Sequence, residues 1–224
     1  MPDFRSLLGK GNFAFVRHGE SQGNRDGAVQ GRLPSTLTER GREQAREAGL
    51  WLAKRKPDVV LTSPLGRARE TAEIIAHEVE LSTVRELPEL TEIDTGIYTG
   101  LSWAQAEERH PAVHRQFEQL SWDAVPGAEP SAALYERAEA AWAIMFDLFR
   151  EGQRHIVAVT HSGFLQWILR STLGWGSWMP LISTSGNCHV SELVVDNRDL
   201  GGGERSLYAN WVRINAPPSG DREA

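Results

Sequence analysis

Arg17, His18, Gly19, Glu20 and Ser21 follow directly on the apolar run Phe13–Val16, and these residue types in that order suit the handling of a phosphoryl group. A guanidinium presents a planar fork of donors that can grip two phosphate oxygens. An imidazole supplies a nitrogen lone pair near neutral pH, which few other side chains can do. The glycine permits a tight turn and a close approach of backbone. Alone, the triplet Arg17-His18-Gly19 reads equally well as a strand-end turn carrying surface charge. Its chemistry depends on what other segments bring to the same place.

Three further residues are candidates. His161 ends the apolar run Ile156–Val159, and Gly163 turns the chain into a helix; beside His18 it becomes a second phosphate ligand. Arg67 lies one turn into the helix that follows Val59–Leu61, placed to reach back over a sheet edge, whereas Arg69 on the same helix faces elsewhere. Glu92 falls in the irregular stretch Leu90–Gly96, which holds two acids. A carboxyl near the phosphate would complete an acid/base partner for a leaving oxygen.

The elements that must position these residues follow from periodicity. Phe13–Val16, Val59–Leu61, Val84–Leu87 and Ile156–Val159 read as strands, and Val190–Val195 and Tyr208–Ile214 as two more joined through Gly201–Gly203. Thr38 caps a helix that runs to about Lys56, with Ala45, Ala48 and Leu52 on its apolar stripe and Pro57 ending it. Ser63-Pro64 reads as the N-cap and first residue of the next helix, which fades near His77. Ser131–Phe149 and Gly163–Leu173 are helical; Leu101–Trp122 is helical with an interruption at Pro111. Strands alternating with helices imply a three-layer α/β/α fold around a largely parallel central sheet. In such sheets the ligand site lies at the carboxyl ends of the strands, where His18, Ser63 and His161 all fall.

The chain of 224 residues, 40% hydrophobic and 24% charged, is read as a single domain over 1–224. It carries a helical cap inserted at about 97–130 and a frayed tail at about 217–224. A net charge of −6 argues against nucleic acid or an anionic membrane as the main partner, so an anionic substrate must be drawn by a local cluster. The lone cysteine, Cys188, fits a reducing compartment. No signal peptide or membrane span is legible, and the cytoplasm is expected. The sequence leaves homo-oligomerisation open.

Taken together, Arg17-His18-Gly19-Glu20-Ser21 with Asn24, Leu37–Gly41, Thr62–Ala68, Leu90-Thr91-Glu92 ending in Gly96, and Val159–Gly163 resemble the histidine phosphatase superfamily in its phosphoglycerate-mutase-like branch. The resemblance spans about residues 13–195. It implies that His18 is the nucleophile, forming a phosphohistidine, and that Glu92 protonates the leaving alkoxide and then takes a proton from water. It also implies that Arg17, Arg67 and His161, with Asn24 and Ser21, hold the phosphoryl oxygens, without a metal or cofactor. The arginines should lower the pKa of His18, and His161 should serve as a donor, cationic when a dianion is bound.

Within that family the chain resembles phosphatases of histidine acid type more than cofactor-dependent mutases. The segment from Arg25 to Thr36 is short and lacks tryptophan, and no arginine-rich stretch lies between Glu92 and His161. The expected activity is hydrolysis of a small-molecule phosphomonoester. A phosphoglycerate mutase and a signalling phosphoprotein phosphatase are the alternatives. Departures from the family pattern fall at Pro34, Thr36 and the loop Pro126–Pro130, and bear on substrate more than on chemistry. In the cap, His110 and His114 stand four apart but Pro111 lies between them, so a polar face is expected there and not a metal site. The aromatics Tyr98, Trp103, Phe117 and Trp122, and the turn Trp175–Trp178, are expected to pack and not to line a substrate pocket.

Overall fold

Phe13, Phe15 and Val16 are wholly buried and Ala14 nearly so, as befits a central strand covered on both faces. A computed structural model of the chain describes residues 1–173, 185–201 and 204–218. The apolar run belongs to β1 (Gly9–Arg17), followed by a one-turn α1 (Gln22–Arg25), α2 (Glu39–Ala53), β2 (Val59–Thr62), α3 (Gly66–Glu78) and β3 (Val84–Glu86). Two short helices come next, α4 (Trp103–Arg109) and α5 (Pro111–Leu120). They lead into the long α6 (Ser131–Arg150), β4 (His155–Thr160) and α7 (Ser162–Leu173). The tail holds β5 (Val190–Asn197), a small ribbon of β6 (Asp199–Gly201) and β7 (Glu204–Arg205), and β8 (Tyr208–Ala216).

The main sheet runs β3-β2-β4-β1-β5-β8. The four strands from β3 to β1 are mutually parallel, while β5 lies antiparallel to both β1 and β8. One face of the sheet (Phe13, Phe15, Ile156, Leu193) packs under α6 and α7 through Trp142, Phe149 and Trp167. The other face (Val16, Val60, Val157, Val159) packs under α2 and α3 through Ala45, Leu52, Ala72 and Ile75. The three-layer α/β/α architecture and its largely parallel sheet are therefore as expected.

Local chemistry sets the helix limits. The Thr38 hydroxyl accepts the Gly41 N–H at 3.0 Å, capping α2. Pro111 opens α5 at the position where a missing N–H costs nothing, so the expected interruption is a break between two helices. Ser63 differs from expectation. Helix α3 begins at Gly66 with Leu65 as its N-cap and no side-chain cap bond; the Ser63 hydroxyl lies ahead of the helix, where it accepts the Leu65 N–H and pairs with His161. The segment 98–128 builds its own small cluster of Tyr98, Ala106 and Val125 around Val29.

Each parallel strand delivers one part of the site at its carboxyl end. Hydrogen bonds continue past the strand ends: the His18 N–H to Thr160 O at 2.9 Å, Ser63 N–H to Val159 O at 3.0 Å and Leu87 N–H to Thr62 O at 2.8 Å. The Thr160 hydroxyl also donates to Leu90 O at 2.7 Å, tying the stretch before Glu92 to β4.

Candidate active site

His18 is buried, and both ring nitrogens are specified. Nδ1 lies 2.8 Å from Gly19 O, a carbonyl that can only accept, so Nδ1 carries the proton. Arg67 Nε–H donates to Nε2 at 3.2 Å; a guanidinium can only donate, so Nε2 carries the lone pair. Two independent contacts thus assign the same tautomer. Gly19 is required by packing: a Cβ there would stand 2.3 Å from Gly41 O, against the first turn of α2.

Arg67 is 1% exposed. Its Nη1 donates to Leu33 O at 2.9 Å and Nη2 to Gly31 O at 2.8 Å, so the loop after α1 fixes the plane of the guanidinium. Arg17 donates through Nη1 to Ser185 O, while its Nε is buried without a partner among the described residues. His161 is fully buried with its ring centroid 5.1 Å from that of His18, and its Nε2 lies 2.7 Å from Ser63 Oγ. Ser63 Oγ also accepts the Leu65 N–H at 3.3 Å. Nδ1 of His161 is buried with no partner among the described residues. Two nitrogens at one sheet edge, Arg17 Nε and His161 Nδ1, are thus buried without a partner among the described residues, an arrangement that anionic oxygens would complete.

Burial is the main electrostatic influence. Desolvation first, then the charges of Arg67 and Arg17, hold the His18 imidazole well below its ordinary pKa. Burial contributes more than the arginines expected to act. His161 is lowered too, by burial first and then by His18 and the surrounding arginines. That shift favours the neutral ring in the unliganded site. Arg17 and Arg67 are lowered by desolvation, with Glu92 opposing the shift in both.

The Glu92 carboxylate sits at the N-terminus of α7. Oε1 accepts the N–H groups of Ile93 and Phe164, each at 2.9 Å, and Oε2 accepts that of Gly163 at 3.1 Å. It thereby satisfies helix donors that otherwise lack partners. Gly163 leaves the room, since a Cβ there would stand 2.6 Å from Oε1. The backbone around Glu92 is clamped by Arg137, whose Nη1 donates to Glu89 O at 2.9 Å and Thr91 O at 2.5 Å. Arg137 in turn is held by Glu129 through two bonds of 2.8 Å.

Asn24 and Ser21 form the reciprocal cap of α1. Asn24 Oδ1 accepts from Ser21 N–H at 3.2 Å, from Ser21 Oγ at 3.1 Å and from Asn187 Nδ2 at 3.1 Å. With three donors on the oxygen, the Asn24 amide NH₂ is the group left to meet a ligand. Ser21 is wholly buried and its hydroxyl serves the cap, so it acts on Asn24 and does not present itself to a ligand. Asn187 was not found from the sequence. It also donates to His18 O at 3.0 Å, reaching the site from the turn before β5, where Cys188 takes a left-handed φ of 55°. An Asn-Cys pair carries no motif that would reveal this.

The remaining sequence candidates lie elsewhere. Arg69 pairs with Glu86 at 2.6 Å on the surface. Tyr98, Trp103, Phe117 and Trp122 pack on one another with centroids 5.0–6.4 Å apart, as expected of helix packing. His110 is the junction of α4 and α5 and His114 packs on Trp103; among the described residues no cluster suits a metal ion. Trp175–Trp178 lies outside the described residues. No helix among the described residues is long and apolar enough to cross a membrane.

Comparison with known proteins fits this geometry. A family model, that of the histidine phosphatase superfamily (branch 1), matches residues 13–201. A 2-carboxy-D-arabinitol-1-phosphatase of Triticum aestivum is 32% identical over 206 residues, covering 91% of this chain and 40% of the wheat protein. The chain thus spans about two fifths of that relative. A probable phosphoglycerate mutase of Salmonella paratyphi C is 30% identical over 179 residues, 80% of this chain and 82% of the other. Among solved structures, a mycobacterial glucosyl-3-phosphoglycerate phosphatase complexed with VO3 superposes with a TM-score of 0.77 at 26% identity, covering 92% of this chain and 99% of that one.

Proposed function

Because the chain belongs to the histidine phosphatase superfamily, branch 1, we propose that it is a phosphomonoester hydrolase that works through a phosphohistidine on His18 without a metal. The observation that carries this reading is the fixed tautomer of His18, with its Nε2 lone pair beside the Arg67 guanidinium. A buried imidazole whose pKa is held well below its ordinary value keeps its lone pair available for attack near neutral pH.

The substrate's phosphoryl oxygens take the donors of Arg17, Arg67, His161 and Asn24, and the Arg67 Nε–H shifts from His18 Nε2 onto one of them. Nε2 then attacks phosphorus in line; the N–P bond forms as the P–O ester bond breaks. Glu92 gives its proton to the departing alkoxide. Oε2, which accepts a single N–H, is the oxygen with room to hold that proton. In the second half, Glu92 takes a proton from water as the water oxygen attacks phosphorus, the N–P bond breaks and inorganic phosphate leaves. Positioning and charge stabilisation do most of the work in such transfers.

The wheat and mycobacterial relatives are named as a 2-carboxy-D-arabinitol-1-phosphatase and a glucosyl-3-phosphoglycerate phosphatase, which supports a small-molecule substrate; the lone cysteine suits the cytoplasm as its place of action. The Salmonella relative's name supports a second reading, a mutase that returns the phosphoryl group to another hydroxyl. The short, tryptophan-free segment after Asn24 favours hydrolysis. Incubation of the purified protein with 3-phosphoglycerate, with and without bisphosphoglycerate, separates the two. Release of inorganic phosphate in both conditions, insensitive to EDTA and blocked by vanadate, is expected. Isomerisation without phosphate release would replace the hydrolase reading with the mutase reading.

A further inference from the structure

The backbone of His18 and Gly19 has four polar groups, and each meets a partner from a different place. The His18 N–H donates to Thr160 O of β4 at 2.9 Å, and His18 O accepts from Asn187 Nδ2 at 3.0 Å. Gly19 O takes Nδ1 of the His18 ring. The fourth group, the Gly19 N–H, donates to Thr71 Oγ1 at 3.0 Å. Thr71 is wholly buried on α3, one turn beyond Arg67.

The Thr71 hydroxyl has one hydrogen, given to Arg67 O at 2.7 Å. A carbonyl can only accept and an amide N–H can only donate, so both roles of the hydroxyl are fixed and its lone pair is aimed at Gly19. One side chain thereby ties the turn of the nucleophile to the backbone of the arginine whose Nε–H meets His18 Nε2. On its other side Gly19 abuts Gly41 O, where a Cβ would stand 2.3 Å away. Packing blocks movement toward α2, and the hydroxyl holds the peptide to α3. A buried N–H that loses its acceptor must move or find another. Movement of Gly19 would turn the carbonyl beneath Nδ1, and the imidazole with it.

We propose that Thr71 is a positioning residue, whose hydroxyl locks the Gly19 peptide to α3 and so sets the angle at which His18 Nε2 meets phosphorus. This rests on the hydrolase reading of the site. Thr71 acts through Gly19 and not on the substrate. Its removal should therefore cost attack and spare phosphate binding. The Arg67 guanidinium stays held by Leu33 O and Gly31 O, and Arg17, His161 and Asn24 are untouched.

Thr71→Val keeps the shape and removes the hydroxyl. In single-turnover reaction with p-nitrophenyl phosphate it should slow phosphorylation of His18 by roughly tenfold to a hundredfold. Inhibition by inorganic phosphate, which needs only the donors, should hardly change, whereas vanadate, whose five-coordinate form needs a bond from Nε2, should weaken in step with the rate. Thr71→Ser and Thr71→Ala both lose the methyl, and only the first keeps the hydroxyl. Serine should recover most of the rate and alanine should not, a comparison that stands even where the valine variant fails to fold. Equal losses in the serine and alanine variants, parallel weakening of phosphate and vanadate, or a full rate in Thr71→Val would overturn the proposal and leave Thr71 a packing residue. Absence of wild-type turnover on p-nitrophenyl phosphate would instead overturn the hydrolase reading itself, and the proposal with it.

Discussion

Arg67 Nε–H donates to His18 Nε2 at 3.2 Å while Gly19 O holds Nδ1 at 2.8 Å, so one histidine is fixed in orientation, tautomer and charge by two groups that cannot exchange roles. An arginine from α3 thus prepares a nucleophile at the end of β1. The same arginine is gripped by carbonyls of a third segment, which makes the pocket a product of the fold and not of one motif.

The charge state of that pocket bears on stability. His18 and His161 have folded-state pKa values held well below the ordinary 6.5. Below about pH 6.5 the unfolded chain binds protons that the folded chain refuses, so stability is highest above that pH and falls as pH drops toward the folded values. Each histidine contributes up to about 1.4 kcal/mol per pH unit in that range. Urea unfolding of the unliganded protein from pH 7.5 to 5, above the main carboxylate titrations, should show this fall, and His161→Asn should make it shallower by about one proton. An unchanged slope in that variant would mean His161 ionises freely.

Removing the acid should depend on the leaving group. Glu92→Gln keeps the cap of α7 largely intact but cannot cycle a proton. Turnover of glycerol 3-phosphate should drop roughly 10²- to 10⁴-fold, whereas p-nitrophenyl phosphate, with a good leaving group, should lose far less. Gly163→Ala should mimic this in weaker form, because its Cβ would stand 2.6 Å from Glu92 Oε1. Equal losses on both esters would take Glu92 out of the acid role.

Asn187 should act through Asn24. Its Nδ2 helps fix Asn24 Oδ1 and holds His18 O, so Asn187→Ala should lower kcat/KM by about tenfold, the worth of one hydrogen bond at a buried site. In a double-mutant cycle with Asn24→Ala the two losses should be far from additive. Additivity would show that Asn187 works independently of Asn24.

Much of this site was legible because its parts sit at carboxyl ends of parallel strands, and strand ends can be read from apolar runs. Arg17, His18 and His161 are placed that way, Arg67 follows one helical turn later, and all converge as expected. What periodicity cannot show is contact between distant segments. Ser63 reads as a helix cap, yet its hydroxyl belongs to His161 from another strand. Glu92 reads as a loop acid, and its role in capping α7 depends on a glycine 71 residues away. Asn187 carries no local signal, since its partners, His18 O and Asn24 Oδ1, are brought near only by folding.

The most direct measurement is rapid acid-free quenching of the enzyme during turnover of a ³²P-labelled monoester, followed by stability mapping of the labelled protein. An acid-labile, base-stable phosphoenzyme in the wild type, enriched in Glu92→Gln with p-nitrophenyl phosphate and absent from His18→Ala, is the expected result. Persistence of that species in His18→Ala, or turnover at the wild-type rate without His18, would contradict a phosphohistidine on this residue.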